Sequence, residues 1–216
     1  GRMRLLTRWF SALPDEVLRT RPLLQVFAIW AANFTRGAGE AMTMLERSGC
    51  ADSTDPDVQA HVSALRPVLL AMVDRPEQAY AVGRERLLQS PTSQPFADST
   101  LANAMALVVA TMGEHGEAQR LLDAARRTQG TRASMFNRMY SESVEGMLDL
   151  REGRIRQATA RFRIAVSATR SVSYTHTNGN AWAGVLYAGA MYEANELEQA
   201  EQLLNVYLPL SSRYTL

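Results

Sequence analysis

Three histidines and one thiol are the side chains of this 216-residue chain most able to bind a metal or attack a substrate carbon. A structural or catalytic metal needs several His, Cys or carboxylate ligands brought together, usually with some of them at short spacing. His61, His115 and His176 fall in separate segments without that spacing, so no metal site is expected. Cys50 follows Gly49 and has no histidine near it in sequence, so it is read as a partly buried, inert thiol. A single cysteine excludes an intrachain disulfide and fits a reducing, cytoplasmic setting. No G-x-S-x-G elbow is present. Gly37-Ala38-Gly39-Glu40 is too short to cradle a phosphate and reads as a hairpin turn. All 23 basic residues are Arg, so the lysine that a G-x-x-x-x-G-K-[S/T] loop needs is missing. Neither an enzyme nor a bound cofactor is expected in this chain.

Charge narrows the reading further. The 23 basic residues face 22 acidic ones, which speaks against direct nucleic-acid contact or a membrane-surface role. No stretch approaches the ~20 apolar residues of a membrane helix, and no signal-peptide pattern opens the sequence. Arg154, Arg156, Arg161, Arg163 and Arg170 lie in a segment free of acids. On a helix, Arg154 and Arg161 flank one side of the apolar stripe Ile155/Phe162/Val166 and the other three flank the opposite side, so a solvated face is expected.

The elements that would carry any site are helical. Apolar residues recur at helical spacing in Leu101/Met105/Val108/Val109/Met112, in Leu121/Leu122/Ala125 and in Ile155/Phe162/Val166/Thr169. Asp55-Pro56 and Arg75-Pro76-Glu77 read as helix starts. Gly49, Gly116, Gly130 and Gly153 read as stops. Helices are predicted at 3–13, 15–20, 22–35, 38–48, 56–73, 76–88, 98–113, 116–129, 133–152, 154–171, 180–194 and 196–208, with a kink near Arg66 from Pro67. Short connections predict antiparallel neighbours.

The pairing repeats. A turn, a polar or acidic residue, a small Ala and then apolar residues open five second helices, with the Ala at 41, 79, 118, 158 and 200. The spacings are 38, 39, 40 and 42 residues, which predicts an array of helical hairpins. Ala106, Gly146 and Ala188, each twelve residues before one of these alanines, are the matching small positions on first helices. Small side chains on both helices allow a close crossing.

The Gly-x-x-x-x-Ala turn resembles the tetratricopeptide repeat, with longer helices than that family's usual ~34-residue period allows. A narrower likeness lies in Trp9-Phe10-Ser11-Ala12-Leu13-Pro14-Asp15-Glu16-Val17-Leu18, Arg21-Pro22-Leu23-Leu24 and Trp30-Ala31, together with residues 192–204, Tyr192-Glu193-Ala194-Asn195-Glu196-Leu197-Glu198-Gln199-Ala200-Glu201-Gln202-Leu203-Leu204. These resemble the helical-repeat region of MalT-like regulators, the large ATP-dependent members of the LuxR family. The resemblance implies an all-α fold, a right-handed superhelix of antiparallel hairpins. It also implies one repeat domain over 1–216, with hairpins at 22–48, 56–88, 98–129, 133–171 and 180–208 after a lead-in at 3–20. The chain is expected to be a piece of a longer regulator, between a nucleotide-binding module and a helix-turn-helix reader.

In stacked hairpins the first helices line the inner face, where ligands bind. Tetratricopeptide geometry counted back from each Ala puts there Trp30, Asn33 and Phe34; His61; Asn103 and Leu107; Tyr140, Ser143 and Met147; and Trp182, Val185 and Tyr192. Of these, Trp30, Asn33, Asn103, Tyr140, Ser143, Trp182 and Tyr192 are the candidate ligand contacts. Aromatic faces with amide and hydroxyl groups suit a sugar-like or aromatic small molecule, although large aromatics such as Trp30, Phe34 and Trp182 are more often inter-repeat core. The segment 174–180 is a candidate rim loop. The expected function is sensing of a small-molecule inducer or a regulatory protein for a transcriptional activator. The expected partners are that effector, the neighbouring modules and a second copy of the chain. The competing reading is a scaffold that holds a peptide or partner domain and no small ligand.

Overall fold

The computed structural model describes residues 3–129, 134–170 and 178–211. Among them are twelve α-helices, one short 3-10 helix and no strand. The helices are α1 (Met3–Ala12), α2 (Asp15–Arg19), α3 (Pro22–Thr35), α4 (Ala38–Arg47), α5 (Pro56–Met72), α6 (Pro76–Leu87), α7 (Pro95–Thr111), α8 (His115–Gln129), α9 (Met135–Arg151), α10 (Ile155–Arg170), α11 (Asn178–Glu193) and α12 (Leu197–Ser211). The 3-10 helix, Gly49–Asp52, links α4 to α5. Gly130 and residues 174–177 of the candidate rim loop lie outside the described residues, while 178–180 form the first turn of α11. Among the described residues no helix is long and apolar enough to cross a membrane.

Helices pair as α3/α4, α5/α6, α7/α8, α9/α10 and α11/α12, and each pair packs on the next. First helices lie against first helices, from α3 to α5, α7, α9 and α11 in turn. Each of α4, α6, α8 and α10 also touches the first helix that follows it. The helices α1 and α2 cover α3 at the start of the order. Two large apolar clusters, one centred on α3–α7 and the other on α7–α12, share Tyr80 and Leu121, which pack on both.

The turns explain why the pairing repeats. Asp74, Gly113, Gly153 and Asn195 have φ of 58°, 89°, 75° and 61°. After each, the next residue donates its N–H back five positions: Arg75 to Leu70, Glu114 to Val109, Arg154 to Asp149 and Glu196 to Met191, at 2.8–3.0 Å. A left-handed residue with this bond closes the preceding helix and reverses the chain. The first hairpin is one residue tighter, turning at Gly37 with φ 104° and ψ 165°, a conformation open only to glycine. Ala79, Ala118, Ala158 and Ala200 follow their left-handed residue by five positions, and Ala41 follows Gly37 by four. The five alanines are 0–5% exposed.

Some predicted boundaries move. Gly113 ends α7, and Gly116 sits inside the first turn of α8, where it terminates nothing. The start of α7 is Pro95 and not 98, because Pro at the first helical position is pre-set for the helix after Gln94. Helix α5 continues through Pro67 to Met72. Helix α12 carries on past 208, through Pro209, to Ser211.

Gly146 and Gly184 show what small residues do on a first helix. A Cβ on Gly146 would sit 2.6 Å from Phe162 Cε1, and one on Gly184 would overlap the Tyr207 ring. Each glycine lets an aromatic of the second helix lie on the backbone of the first. Gly189, also in α11, has nothing within 4 Å of its would-be Cβ. Gly146→Ala is therefore expected to destabilise the chain by about 1–3 kcal/mol through overpacking. Gly189→Ala is expected to stabilise it by about 0.5–1 kcal/mol through backbone entropy. Urea unfolding of both variants checks the contrast.

Candidate functional site

Aromatic side chains link the first helices of successive pairs. Phe27, Trp30 and Phe34 recur at i, i+3 and i+7 and so share one face of α3. Phe27 meets His61 of α5 edge-on at 5.2 Å, Trp30 meets Phe96 of α7 at 5.4 Å, and Phe34 meets Phe136 of α9 at 4.5 Å. Phe136 leads to Tyr140 at 5.8 Å and Tyr140 to Trp182 of α11 at 5.1 Å. The expected open groove is thus closed at its middle, where Phe34 crosses from α3 to α9; α11 also touches α3. Two aromatic walls gain more by covering each other than by facing water.

The candidate contacts separate into four groups. Trp30 and Tyr140 are 3% and 9% exposed, while Trp182 is partly exposed beside Tyr140. Burial pushes the Tyr140 phenol above its ordinary value, so it stays protonated. Asn103 and Ser143 are fully buried and engaged internally. Asn103 Nδ2 donates to Asn137 O at 3.1 Å, and its Oδ1 lies 2.7 Å from Ser141 Oγ. Ser143 Oγ donates to Met139 O at 2.8 Å. Tyr192 is 66% exposed near the end of α11, away from the aromatic run. Asn33 stands apart, at 2% exposed with neither end of its amide hydrogen-bonded.

His61, 2% exposed, is held by Trp30, whose Nε1–H donates to His61 Nδ1 at 3.2 Å. With Nδ1 accepting, a neutral ring carries its proton on Nε2. That atom has no well-aligned hydrogen-bond partner, although the Gln94 side chain acts on both His61 and Asp57. The loop bearing Gln94 is fixed from outside the aromatic run. Arg86 Nη2 donates to Asp98 Oδ1 at 2.8 Å in a pair about nine-tenths buried, and Thr92 donates its N–H and its hydroxyl to Asp98 Oδ2 at 2.6 and 2.9 Å. Ser93 Oγ then reaches Asp57 Oδ1 at 2.7 Å.

Sequence reasoning missed Phe27, Phe96 and Phe136 on the inner face, and it missed a row of acids. Glu142, Glu145 and Asp149 share one face of α9, facing arginines from its neighbours. Arg161 Nε donates to Asp149 Oδ2 at 2.8 Å and Arg154 Nε to Asp149 Oδ1 at 2.8 Å. Glu145, 2% exposed, is paired with both Arg126 and Arg161. The flank with Arg154 and Arg161 is therefore ion-paired to buried acids of α9 while both arginine side chains stay 36–42% exposed; the i, i+3, i+7 spacing of the acids was the signal of the pairing. On the other flank, Arg163 Nε donates to Tyr187 Oη at 3.3 Å. Cys50 is fully buried with Sγ 3.2 Å from Gln25 Oε1, and burial raises its pKa, so the thiol is unreactive. Among the described residues no group of three or more His, Cys, Asp or Glu is placed to hold a metal.

What the inner face offers is ring surfaces with isolated hydrogen-bonding groups. Burial lowers the His61 pKa below its ordinary 6.5, opposed to a smaller extent by Gln94, Asp57 and Asp98. A base whose folded pKa is depressed stabilises the fold above its unfolded pKa, and that stability is lost as pH falls through the folded value. Protonation would also take the lone pair that accepts from Trp30. The melting temperature is expected to fall as pH drops below 6.5, and His61→Gln is expected to flatten that part of the profile; calorimetry across this range checks both. Compared with protein-family models, curated proteins and solved structures, the chain matches none of them.

Proposed function

We propose that this chain is an effector-sensing helical-repeat segment of a MalT-like, LuxR-family transcriptional regulator, acting in the cytoplasm and without catalysis of its own. In this reading the five hairpins form a right-handed, tetratricopeptide-like superhelix. The observation that carries it is the aromatic run from Phe27 to Trp182, which joins the first helices of all five hairpins through one surface. A ligand bound there touches several hairpins at once, and so can bias how they sit against one another.

Two features favour a small, ring-bearing effector. Trp182 is partly exposed and lies beside Tyr140. Asn33 supplies a buried amide that lacks a partner, and a buried polar group left unpaired costs about 1–3 kcal/mol. A carbonyl or hydroxyl on the effector would satisfy it. The closure at Phe34 and Phe136 favours a second reading, in which a partner protein grips the rim of the inner face.

A thermal-shift panel of sugars, aromatic acids and nucleotides tests the first reading, with a rise in melting temperature expected for at least one class. Trp182→Ala should abolish that rise. Asn33→Leu should stabilise the ligand-free chain by about 1 kcal/mol while weakening the response. No shift with any class, together with a stoichiometric protein captured from lysate, would move the assignment to the scaffold.

A further inference from the structure

The Asn33 amide is buried with both of its ends unpaired, and we infer that the effector is an uncharged, flat nitrogen heterocycle of the nucleobase type, held along one edge by that amide. This rests on the sensing role proposed above and names the chemistry of its ligand. Asn33 is 2% exposed, and neither Nδ2 nor Oδ1 has a hydrogen-bond partner. It follows Trp30 by three residues and adjoins Phe34 on α3. Trp30 stacks on Phe34 with ring centres 5.9 Å apart, and Phe34 meets Phe136 at 4.5 Å. Asn103 and Asn137, the other fully buried amides of the first helices, are bonded to protein atoms. A ligand reaches Asn33 only by taking the place of a side chain that now covers it. A flat ring restores the contacts that a displaced neighbouring ring gives up.

Charge is kept away from these rings. Helix α3 has no charged residue, and α11 has none before Glu193. On α7 the single charge, Asp98, lies roughly opposite Phe96 around the helix. On α9, Arg138, Glu142, Glu145 and Asp149 lie roughly opposite Phe136 and Tyr140. Arg151, at the far end of α9, donates to Ala110 O. On α5, Arg66 is exposed and Asp57 accepts from Ser93. The charges that act on His61 are the carboxylates of Asp57 and Asp98. An anion placed against the rings would meet those two carboxylates and lose its hydration without a cation to replace it.

The amide sets the shape of the partner. A carboxamide holds two donors and an acceptor side by side in one plane. Its complement is an acceptor next to a donor on the rim of a flat ring. A ring nitrogen beside an exocyclic amino group has this edge, as does a ring carbonyl beside a ring N–H. An asparagine side chain pairs with the edge of adenine through the same two-bond fork. Such a ring satisfies Nδ2 and Oδ1 together and lays its faces against the aromatic side chains.

Thermal shift and titration calorimetry on the whole chain test this with matched probes. Adenosine and uridine offer the paired edge without charge. N6,N6-dimethyladenosine and 3-methyluridine keep the flat ring but lose the edge donor, and the 5′-monophosphates keep the edge but add charge. At least one of the two nucleosides is expected to raise the melting temperature. Its methylated form and its monophosphate should each bind at least ~10-fold more weakly. Asn33→Leu should lose the response to the nucleoside, and the methylated probes put the same question to the unaltered chain. A response that survives methylation of the edge or Asn33→Leu overturns this inference and leaves the sensing role standing. So does a response to sugars, carboxylates or monophosphates in which neither nucleoside shares. No response from any of these compounds or from the wider panel removes both.

Discussion

The backbone reversal between paired helices is the constraint from which the rest of this structure follows. In four of the five turns a residue in the left-handed region is followed by an N–H donated five positions back. This fixes where the second helix begins relative to the end of the first. In each of these turns the next helical bond is donated by the recurring alanine: Ala79 to Arg75, Ala118 to Glu114, Ala158 to Arg154 and Ala200 to Glu196. The alanine therefore always arrives at the same height beside the first helix, where a larger side chain would force the pair apart. Phe162, one turn beyond Ala158, then reaches Gly146 across the gap. Turn, alanine and facing glycine act as a unit, because relaxing any one would leave the others without their close packing.

Repetition at the turns leaves the hairpins free to differ elsewhere, and the central helix shows the consequence. Helix α7 is buried nearly all round, as expected of a helix with neighbours on every side. Its alanines at 97, 102, 104, 106 and 110 keep those neighbours near. By contrast α8, α10 and α12 keep one wet face, and their amphipathic pattern was the easier one to read. Between α8, α9 and α10 an ionic contact adds to the apolar one, with Glu145 and Asp149 shared among Arg126, Arg154 and Arg161. Glu145 and Asp149 are buried while the arginines stay 36–43% exposed, so removing an arginine leaves a buried carboxylate short of a partner, which costs more than the pair contributes. The network therefore acts as a demand for correct pairing more than as a source of stability.

Helix periodicity and the alanine register were legible in the sequence because both arise from local geometry. Left-handed residues other than glycine were harder to see: Asp74 and Asn195 take the same turn as Gly113 and Gly153, since a short polar side chain tolerates that conformation. Gly116 drew attention as a stop because it is a glycine near a turn, yet it is helical. The inner face was legible in part. Counting from the alanines brought Trp30, Phe34, His61, Tyr140 and Trp182 to the aromatic run, but it had no means of knowing that α3 reaches α9. That contact depends on how far successive pairs rotate, a long-range quantity that no local pattern carries. The same gap hid Asn137 and Ser141, whose partners lie on another hairpin.

The buried polar residues then divide by what they can still do. Thr100, Asn103, Asn137 and Ser141 bond to one another across α7 and α9, with Asn137 Nδ2 also donating to Phe96 O at 3.3 Å. A slip of either helix would break several of these bonds at once, so the group fixes the register of two hairpins and has little left to offer a ligand. Asn33 is as deeply buried, but neither end of its amide is hydrogen-bonded. Core packing alone would favour an apolar side chain at that place, because an unpaired polar atom in the interior is a standing cost. The His61 imidazole offsets that cost through Trp30 and Gln94, whereas the Asn33 amide, beside rings from several helices, carries it in full. Among the buried polar side chains of the first helices, then, unsatisfied polarity sets Asn33 apart from those whose hydrogen bonds hold the fold.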